Sequence, residues 1–345
     1  MAMNRFAYAS ASTVDEVLGA LTDTAHPGDC RPLAGGVDLL DRMKEGLSSP
    51  SRLVNLKRIP GLDQLHVEAG VLRVGALVPL YRLLAHPAIA ERADMGCLRQ
   101  ALAETASPQV RHMATIGGNL LQRPRCWYFR NKLTFCLRKG GERCFAFRGK
   151  NERHAILGGG PCYIVHPSDP AVALLALDAS VRIAGPYGTR TVSLADFYLL
   201  PKQDAQREVA LAPNEVLTEI LIPTPAAGER AECRGIYLKV PERGARDFAL
   251  ASVALQLTFA GEVARDACPT RGRLVLGGVA PVPWRAVEAE QALTGQRLSD
   301  VVIEQVSLAA TAGARPLAQN AFKIDLVQGI VRQALRTVGE ANRVV

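Results

Sequence analysis

Aromatic side chains are scarce, 5% of the 345 residues. No stretch approaches the roughly 20 apolar residues that a membrane-spanning helix requires, so a transmembrane helix is excluded. The opening residues, Met1 to Val17, hold no apolar core of the signal-peptide kind, so the chain is not expected to direct its own export. Neither G-x-G-x-x-G nor a P-loop occurs, which removes the Rossmann and NTPase readings by motif. No C-x2-C pair is present, so a zinc knuckle is not expected. Ser168 lacks a G-x-S-x-G elbow, leaving serine-hydrolase chemistry without basis. His112, His154 and His166 are not at metal-ligand spacing and read as structural. No acid pair points to glycosidase or protease chemistry. Internal repeats and low-complexity tracts are also missing.

What is present is the mix of a soluble globular protein, 48% hydrophobic and 21% charged, long enough for two or three domains. The net charge is +8 and its excess is local. Residues 121–153 hold ten basic side chains against Glu142 and Glu152, so this stretch carries the whole imbalance. Interleaved with aromatics, it has the composition of a single-strand nucleic-acid binder, but that reading leaves its cysteines unexplained. Of eight cysteines, Cys30, Cys97, Cys233 and Cys268 are scattered, whereas Cys126, Cys136, Cys144 and Cys162 are grouped.

Thr13-x-x-Glu16 predicts a capping box opening a helix with Val14, Val17, Leu18 and Leu21 on one face. Residues 31–33 predict a short strand entering a glycine turn, then a helix through Leu40 and Met43. Strands are expected at 52–56, 71–75, 181–184, 190–193, 216–222, 250–259 and 273–279. Helices are expected at 79–87, 95–106, 172–177 and 322–338, and a loop from Ser107 to Leu121. Pro223 to Glu229 marks a boundary. The architecture expected is α+β, with parts at 1–225 and 230–345.

Ala34-Gly-Gly-Val-Asp38 and Thr115-Ile-Gly-Gly-Asn119 each pair glycines beside a small polar side chain. Such pairs serve ordinary tight turns, and they also let backbone amides approach a phosphate. Together with Pro167-Ser-Asp169, Tyr237-Leu-Lys239 and Ala314-Arg-Pro-Leu-Ala-Gln-Asn-Ala-Phe-Lys323, in this order, they make the chain resemble the FAD-binding medium subunit of the xanthine dehydrogenase and aldehyde oxidoreductase family of molybdenum hydroxylases. The resemblance implies a two-subdomain FAD fold of the vanillyl-alcohol-oxidase type (about 1–60 and 61–225) followed by a C-terminal α+β domain. It implies that Leu33, Ala34, Gly35, Gly36, Val37, Asp38 and Leu39 wrap the FAD pyrophosphate. Thr115, Gly118 and Asn119 would form the second side of that cradle. Asp169 would bind the adenosine ribose or neighbouring polar atoms. Leu217 and Lys239 would lie near the isoalloxazine, Lys239 stabilising reduced flavin unless it is an ordinary surface lysine. Val37 departs from the small hydroxyl residue of many relatives.

The four grouped cysteines are spaced C-x9-C-x7-C-x17-C, which matches no common ferredoxin pattern. From the residues alone they are a cluster site, buried thiols or an incidental disulfide. The basic surroundings suit an anionic cluster. The resemblance adds that some medium subunits carry an inserted four-cysteine loop, here about 122–165, that binds a [4Fe–4S] cluster. The runs around Cys126 and Cys162 look nearest to bacterial periplasmic aldehyde oxidoreductases, with the 4-hydroxybenzoyl-CoA reductase type as the alternative. A structural or auxiliary role for the cluster is expected.

The function so implied is electron transfer. A large subunit with a molybdenum cofactor and a small subunit with two [2Fe–2S] clusters would feed FAD here, which passes electrons to an external acceptor. No nucleic acid or membrane partner is expected. Location would be cytoplasmic, or periplasmic by co-export with a signal-bearing partner. The competing readings are a self-contained flavin oxidoreductase of the same fold and a basic zinc or nucleic-acid module.

Overall fold

The computed structural model describes residues 3–26, 28–224, 231–244, 247–260 and 268–340. Most of the expected boundary, residues 225–229, lies outside them. Three sheets organise the chain.

The first sheet is small and parallel, β1 (Ala7–Ser10), β2 (Cys30–Leu33) and β3 (Arg52–Asn55), in the order β1-β3-β2. The helix Val14–Thr22 follows β1 and buries Val17, Leu18 and Leu21. Thr13 caps it by accepting from the Glu16 amide at 3.2 Å. The Glu16 carboxylate reaches back to the Ser12 amide at 2.6 Å, one residue earlier than a standard capping box. The helix Val37–Lys44 follows β2.

The second sheet is antiparallel, with β4 (Leu65–Glu68), β5 (Val71–Gly75), β6 (Ser180–Gly185), β7 (Gly188–Ser193) and β8 (Val216–Pro223) in the order β4-β5-β8-β6-β7. Alternate residues Leu72, Val74, Val181, Ile183, Ile220 and Ile222 enter one core, as period-two strands require. Between β5 and β6 lies a long helical excursion. The helix expected over 79–87 splits into Leu80–Ala85 and Pro87–Ala90, because Pro87 cannot continue the first segment. The stretch expected as a loop at 107–121 instead forms the helices Pro108–Met113 and Ile116–Leu120. Ser107 and Thr115 cap them by accepting from the Val110 and Gly118 amides at 3.3 and 3.2 Å. Each helix is too short for apolar periodicity to register.

The helix Asp169–Ala176 is buried at every position. It packs between the helix Gly96–Glu104 and the third sheet, which explains its all-round apolar sequence. The third sheet has the order β12-β11-β10-β9, from β9 (Ala231–Pro241), β10 (Ala249–Ala260), β11 (Arg271–Gly277) and β12 (Trp284–Arg285). The final helix, Phe322–Glu340, lays Val327, Ile330, Val331, Ala334, Leu335 and Val338 into its core.

The cysteine-rich loop contains only short turns, yet it is tied down at many points. The Ile156 and Leu157 amides donate to the Val279 carbonyl, and the His166 amide donates to the Ala280 carbonyl. Asn151 and Gln319 exchange a reciprocal pair of hydrogen bonds, each 3.0 Å. Asn320 donates to the His154 carbonyl at 3.1 Å. The closing motif, residues 314–323, therefore helps to seat this loop, with Asn320 buried at the contact.

Candidate functional site

A cleft of about 1220 Å³ opens between the first two sheets, the end of β9 and the cysteine-rich loop. It is larger than a typical small-ligand pocket and suits a long dinucleotide. Its lining includes Ala34, Gly35, Gly36, Val37, Asp38, Leu39, Thr115, Gly118, Asn119, Asp169, Leu217 and Lys239. Leu33, the last residue of β2, is absent from that lining.

The two glycine motifs meet. A Cβ on Gly35 would strike the carbonyl oxygen of Met113, so Gly35 is required by contact between the two loops. That is a different reason from the phosphate approach expected of it. Gly36 adopts φ +75°, a left-handed conformation, and stands at the N-cap of the helix Val37–Lys44. It offers no side-chain cap, so the first-turn amides are left for an anion in the cleft. Gly117, the first glycine of the second motif, packs against the sheet. A Cβ there would meet the Ala76 Cβ at 2.8 Å and Leu217 at 2.9 Å, against β5 and β8. Gly118 faces open space apart from Thr115 Oγ1. Asn119 accepts from the Ser168 hydroxyl at 2.5 Å, linking the second glycine motif to the Pro-Ser-Asp motif.

Charge around the cleft is unbalanced. The Asp38 carboxylate is gripped by Arg42, Arg125 and Arg130 at 3.0, 3.0 and 2.7 Å and accepts from the Arg123 amide. Burial alone would raise its carboxyl; the three guanidinium groups win and hold it below its ordinary value. Asp38 thus clamps the cysteine-rich loop onto the helix Val37–Lys44. Arg31 also lines the cleft, and among the described residues no carboxylate pairs with it; its buried Nε has no hydrogen-bond partner. Burial, then repulsion from Arg123, pull its pKa down. Burial likewise lowers Arg42, to about 10, although Asp38 opposes the shift. An uncapped helix N-terminus and a half-buried arginine with no carboxylate partner among the described residues, lining one cleft, are chemistry that fits a pyrophosphate. Sequence reading passed over Arg31 because a single arginine before a strand carries no motif.

Asp169 and Lys239 come together. Lys239 donates to Asp169 at 2.8 Å and to the Glu104 carbonyl at 3.1 Å, and the Tyr237 hydroxyl donates to the other Asp169 oxygen at 2.7 Å. The surface-lysine alternative is therefore incorrect: the Lys239 side chain is 3% exposed. Burial raises the Asp169 carboxyl even against the pull of Lys239.

Beyond one wall of the cleft lies a small cavity lined by Cys126, Cys136, Cys144 and Cys162, with Tyr128, Phe129, Arg138, Phe145, His154 and Ile164. All four thiols are free, so no disulfide forms among them. Backbone amides of Tyr128 and Phe129 serve Cys126, those of Ala146 and Tyr163 serve Cys144, and that of Ile164 serves Cys162. His154 Nε2 lies 3.3 Å from Cys126 Sγ. A hydrogen bond from Cys144, then Arg138, pulls the Cys162 thiol down, while Cys126 is pushed up to about 11 by burial. Among the described residues no three His, Cys, Asp or Glu side chains converge on a single metal-ion position. Four soft sulfur donors around one cavity, with amides aimed at them, fit a polynuclear iron–sulfur group instead.

This arrangement of three sheets around a cationic dinucleotide cleft is that of a flavin-carrying subunit, and comparison with known proteins agrees. The model of the FAD-binding domain in molybdopterin dehydrogenase matches residues 4–225, and that of the CO dehydrogenase flavoprotein C-terminal domain matches residues 236–338. The chain is 38% identical over 339 residues to the aldehyde oxidoreductase FAD-binding subunit PaoB of Escherichia coli (strain K12), covering 96% of this chain and 98% of that one. It is 27% identical to the carbon monoxide dehydrogenase medium chain of Afipia carboxidovorans, covering 90% and 87%. Among solved structures, carbon monoxide dehydrogenase from Hydrogenophaga pseudoflava superposes with a TM-score of 0.72 at 26% identity, over 97% of this chain and 98% of that one. Quinoline 2-oxidoreductase from Pseudomonas putida 86, at 24% identity, shares the fold with a TM-score of 0.73 over 99% of each chain. The chain belongs to the FAD-binding medium subunits of the molybdenum hydroxylase family. The fold class, the flavin and the oxidoreductase-subunit function expected from the sequence stand.

Proposed function

We propose that the chain is the flavin subunit of an aldehyde-oxidising molybdenum hydroxylase and that Cys126, Cys136, Cys144 and Cys162 hold a [4Fe–4S] cluster. The observation that carries the cluster is the convergence of four thiols, drawn from a segment with almost no regular structure, on one cavity rimmed by amide donors. The aldehyde reading is supported by the 38% identity to PaoB. In this reading electrons arrive from two [2Fe–2S] clusters on a small subunit, fed by the molybdenum cofactor of a large subunit, and leave for an external acceptor. The three chains form a heterotrimer, or a dimer of such trimers.

FAD, when bound, supplies the exchange between two-electron and one-electron carriers. The chain's own residues hold it. The first-turn amides of the helix Val37–Lys44 and Arg31 face the pyrophosphate. Thr115, Gly118 and Asn119 form the opposite side of the cradle. The Asp169–Lys239 ion pair holds Lys239 at the cleft near the end of β9, with Leu217 closing the apolar floor. The loop's contacts with residues 314–323 support a structural or auxiliary part for the cluster. The test is the visible spectrum with iron and flavin content of the purified complex. Cys162→Ser and Cys126→Ser are expected to lose one cluster's iron and keep FAD, whereas Cys97→Ser and Cys268→Ser keep both. Unchanged iron in Cys162→Ser would remove the four-cysteine site.

A further inference from the structure

Arg138 sits in the turn just after Cys136, and its side chain is 1% exposed. It lines both the flavin cleft and the cysteine cavity, as does Phe129, so these two side chains form the partition between them. Arg138 Nη1 donates to Glu208 Oε1 at 2.8 Å. That carboxylate is already engaged by Arg123, through Nε at 3.1 Å and Nη2 at 2.9 Å. One carboxylate between two guanidinium groups leaves a surplus positive charge. Arg138 Nε and Nη2 are buried with no nitrogen or oxygen partner, and the nearby acidic group on the cavity side is the Cys162 thiol. The Cys162 thiol, hydrogen-bonded to this guanidinium, is only a weak acceptor, so these buried N–H groups call for an anionic acceptor in the cavity.

We propose that Arg138 sets the reduction potential of the iron–sulfur group held by the four cysteines, donating from Nε and Nη2 to its sulfur atoms while Glu208 fixes the side chain in place. The inference rests on the cluster reading given above. An added electron makes the group more negative, so a fixed cation and N–H donors stabilise its reduced form more than its oxidised form and raise its potential. Glu208 and Arg123 belong to the cleft lining. The same network therefore joins the cluster loop to the flavin site through contiguous charge-assisted hydrogen bonds.

The test is an EPR-monitored redox titration of the purified multi-subunit complex, with iron and FAD measured on each sample. Arg138→Met is expected to keep iron and FAD and to lower the cluster's reduced-to-oxidised ratio at fixed poise by about tenfold, equivalent to about 59 mV for a one-electron couple. Arg138→Lys, which keeps the charge but loses the fork, shifts less. The [2Fe–2S] signals of the partner should not move. Normal iron with an unmoved potential in Arg138→Met overturns the role of Arg138 and leaves the cluster reading intact. Loss of iron from both variants also overturns it, because the side chain would then be needed to build the loop. A wild-type complex with no iron beyond its [2Fe–2S] clusters would instead sink the cluster reading itself.

Discussion

Arg31→Met should have opposite consequences in the FAD-free and FAD-loaded protein. Without ligand, Arg31 is a half-buried cation with no carboxylate partner among the described residues, repelled by Arg123 and half of a crowded guanidinium pair with Arg42. Removing it relieves repulsion and desolvation while keeping an apolar stem, so the FAD-free protein should melt no lower than wild type. With FAD bound, the substitution removes a charge-assisted hydrogen bond to the pyrophosphate, worth about 1.5–3 kcal/mol. That predicts a dissociation constant raised roughly ten- to a hundred-fold. The stabilisation conferred by saturating FAD should fall by a similar free energy. Flavin-fluorescence titration of the FAD-free complex measures the first quantity, and thermal melts with and without FAD measure the second. Raising the salt concentration should narrow the difference between the two proteins. Unchanged affinity, or a large drop in the melting temperature of the FAD-free form, would refute the assignment of Arg31 to the phosphate.

Gly117→Val should destabilise the fold by about 1–3 kcal/mol, because its side chain would press on Ala76 and Leu217; Gly118→Ala should instead fold normally and lose FAD affinity, as a paired melt and flavin titration would reveal. Lys239→Met strands the buried Asp169 carboxylate and should cost about 3–5 kcal/mol in denaturant unfolding. Lys239→Met with Asp169→Asn should recover part of that loss, and a double variant no better than the single one would contradict the pairing. His166 is fully buried, and burial lowers its pKa from 6.5 to about 3. The unfolded chain therefore binds a proton that the folded chain refuses. Stability is complete above pH 6.5 and should decline by about 1.4 kcal/mol per pH unit from this residue as pH falls toward 3. A His166→Phe variant whose acid unfolding profile matches wild type would show that another group governs the decline.

Much was legible before any tertiary information. Alternating apolar residues located the strands at 71–75, 181–184 and 216–222, and the all-apolar run at 172–177 gave its buried helix, because both periodicities follow from local backbone geometry. The glycine motifs marked the cleft, since positive φ at Gly36 and close backbone approach at Gly35 each exclude a side chain. The grouping of four cysteines in a basic stretch was equally plain.

Only the tertiary structure showed what these features are for. Gly35 contacts Met113, 78 positions away in sequence, and that contact holds the two glycine motifs together. The helices at 108–113 and 116–120 are not marked by a repeating apolar face: both are fixed by caps, and the second also by hydrogen bonds from Ile116 and Gly117 to the Val78 and Ala76 carbonyls. Arg31, Arg138 and Glu208 belong to no motif. Their significance comes from which of their hydrogen bonds are made and which are left open, a property of three-dimensional placement that spacing along a chain does not encode. The sequence by itself determined many of the elements, the family, and the glycine and cysteine motifs. The fold decided which cations are already paired and which remain available, because a charge's meaning depends on its neighbours and its distance from water.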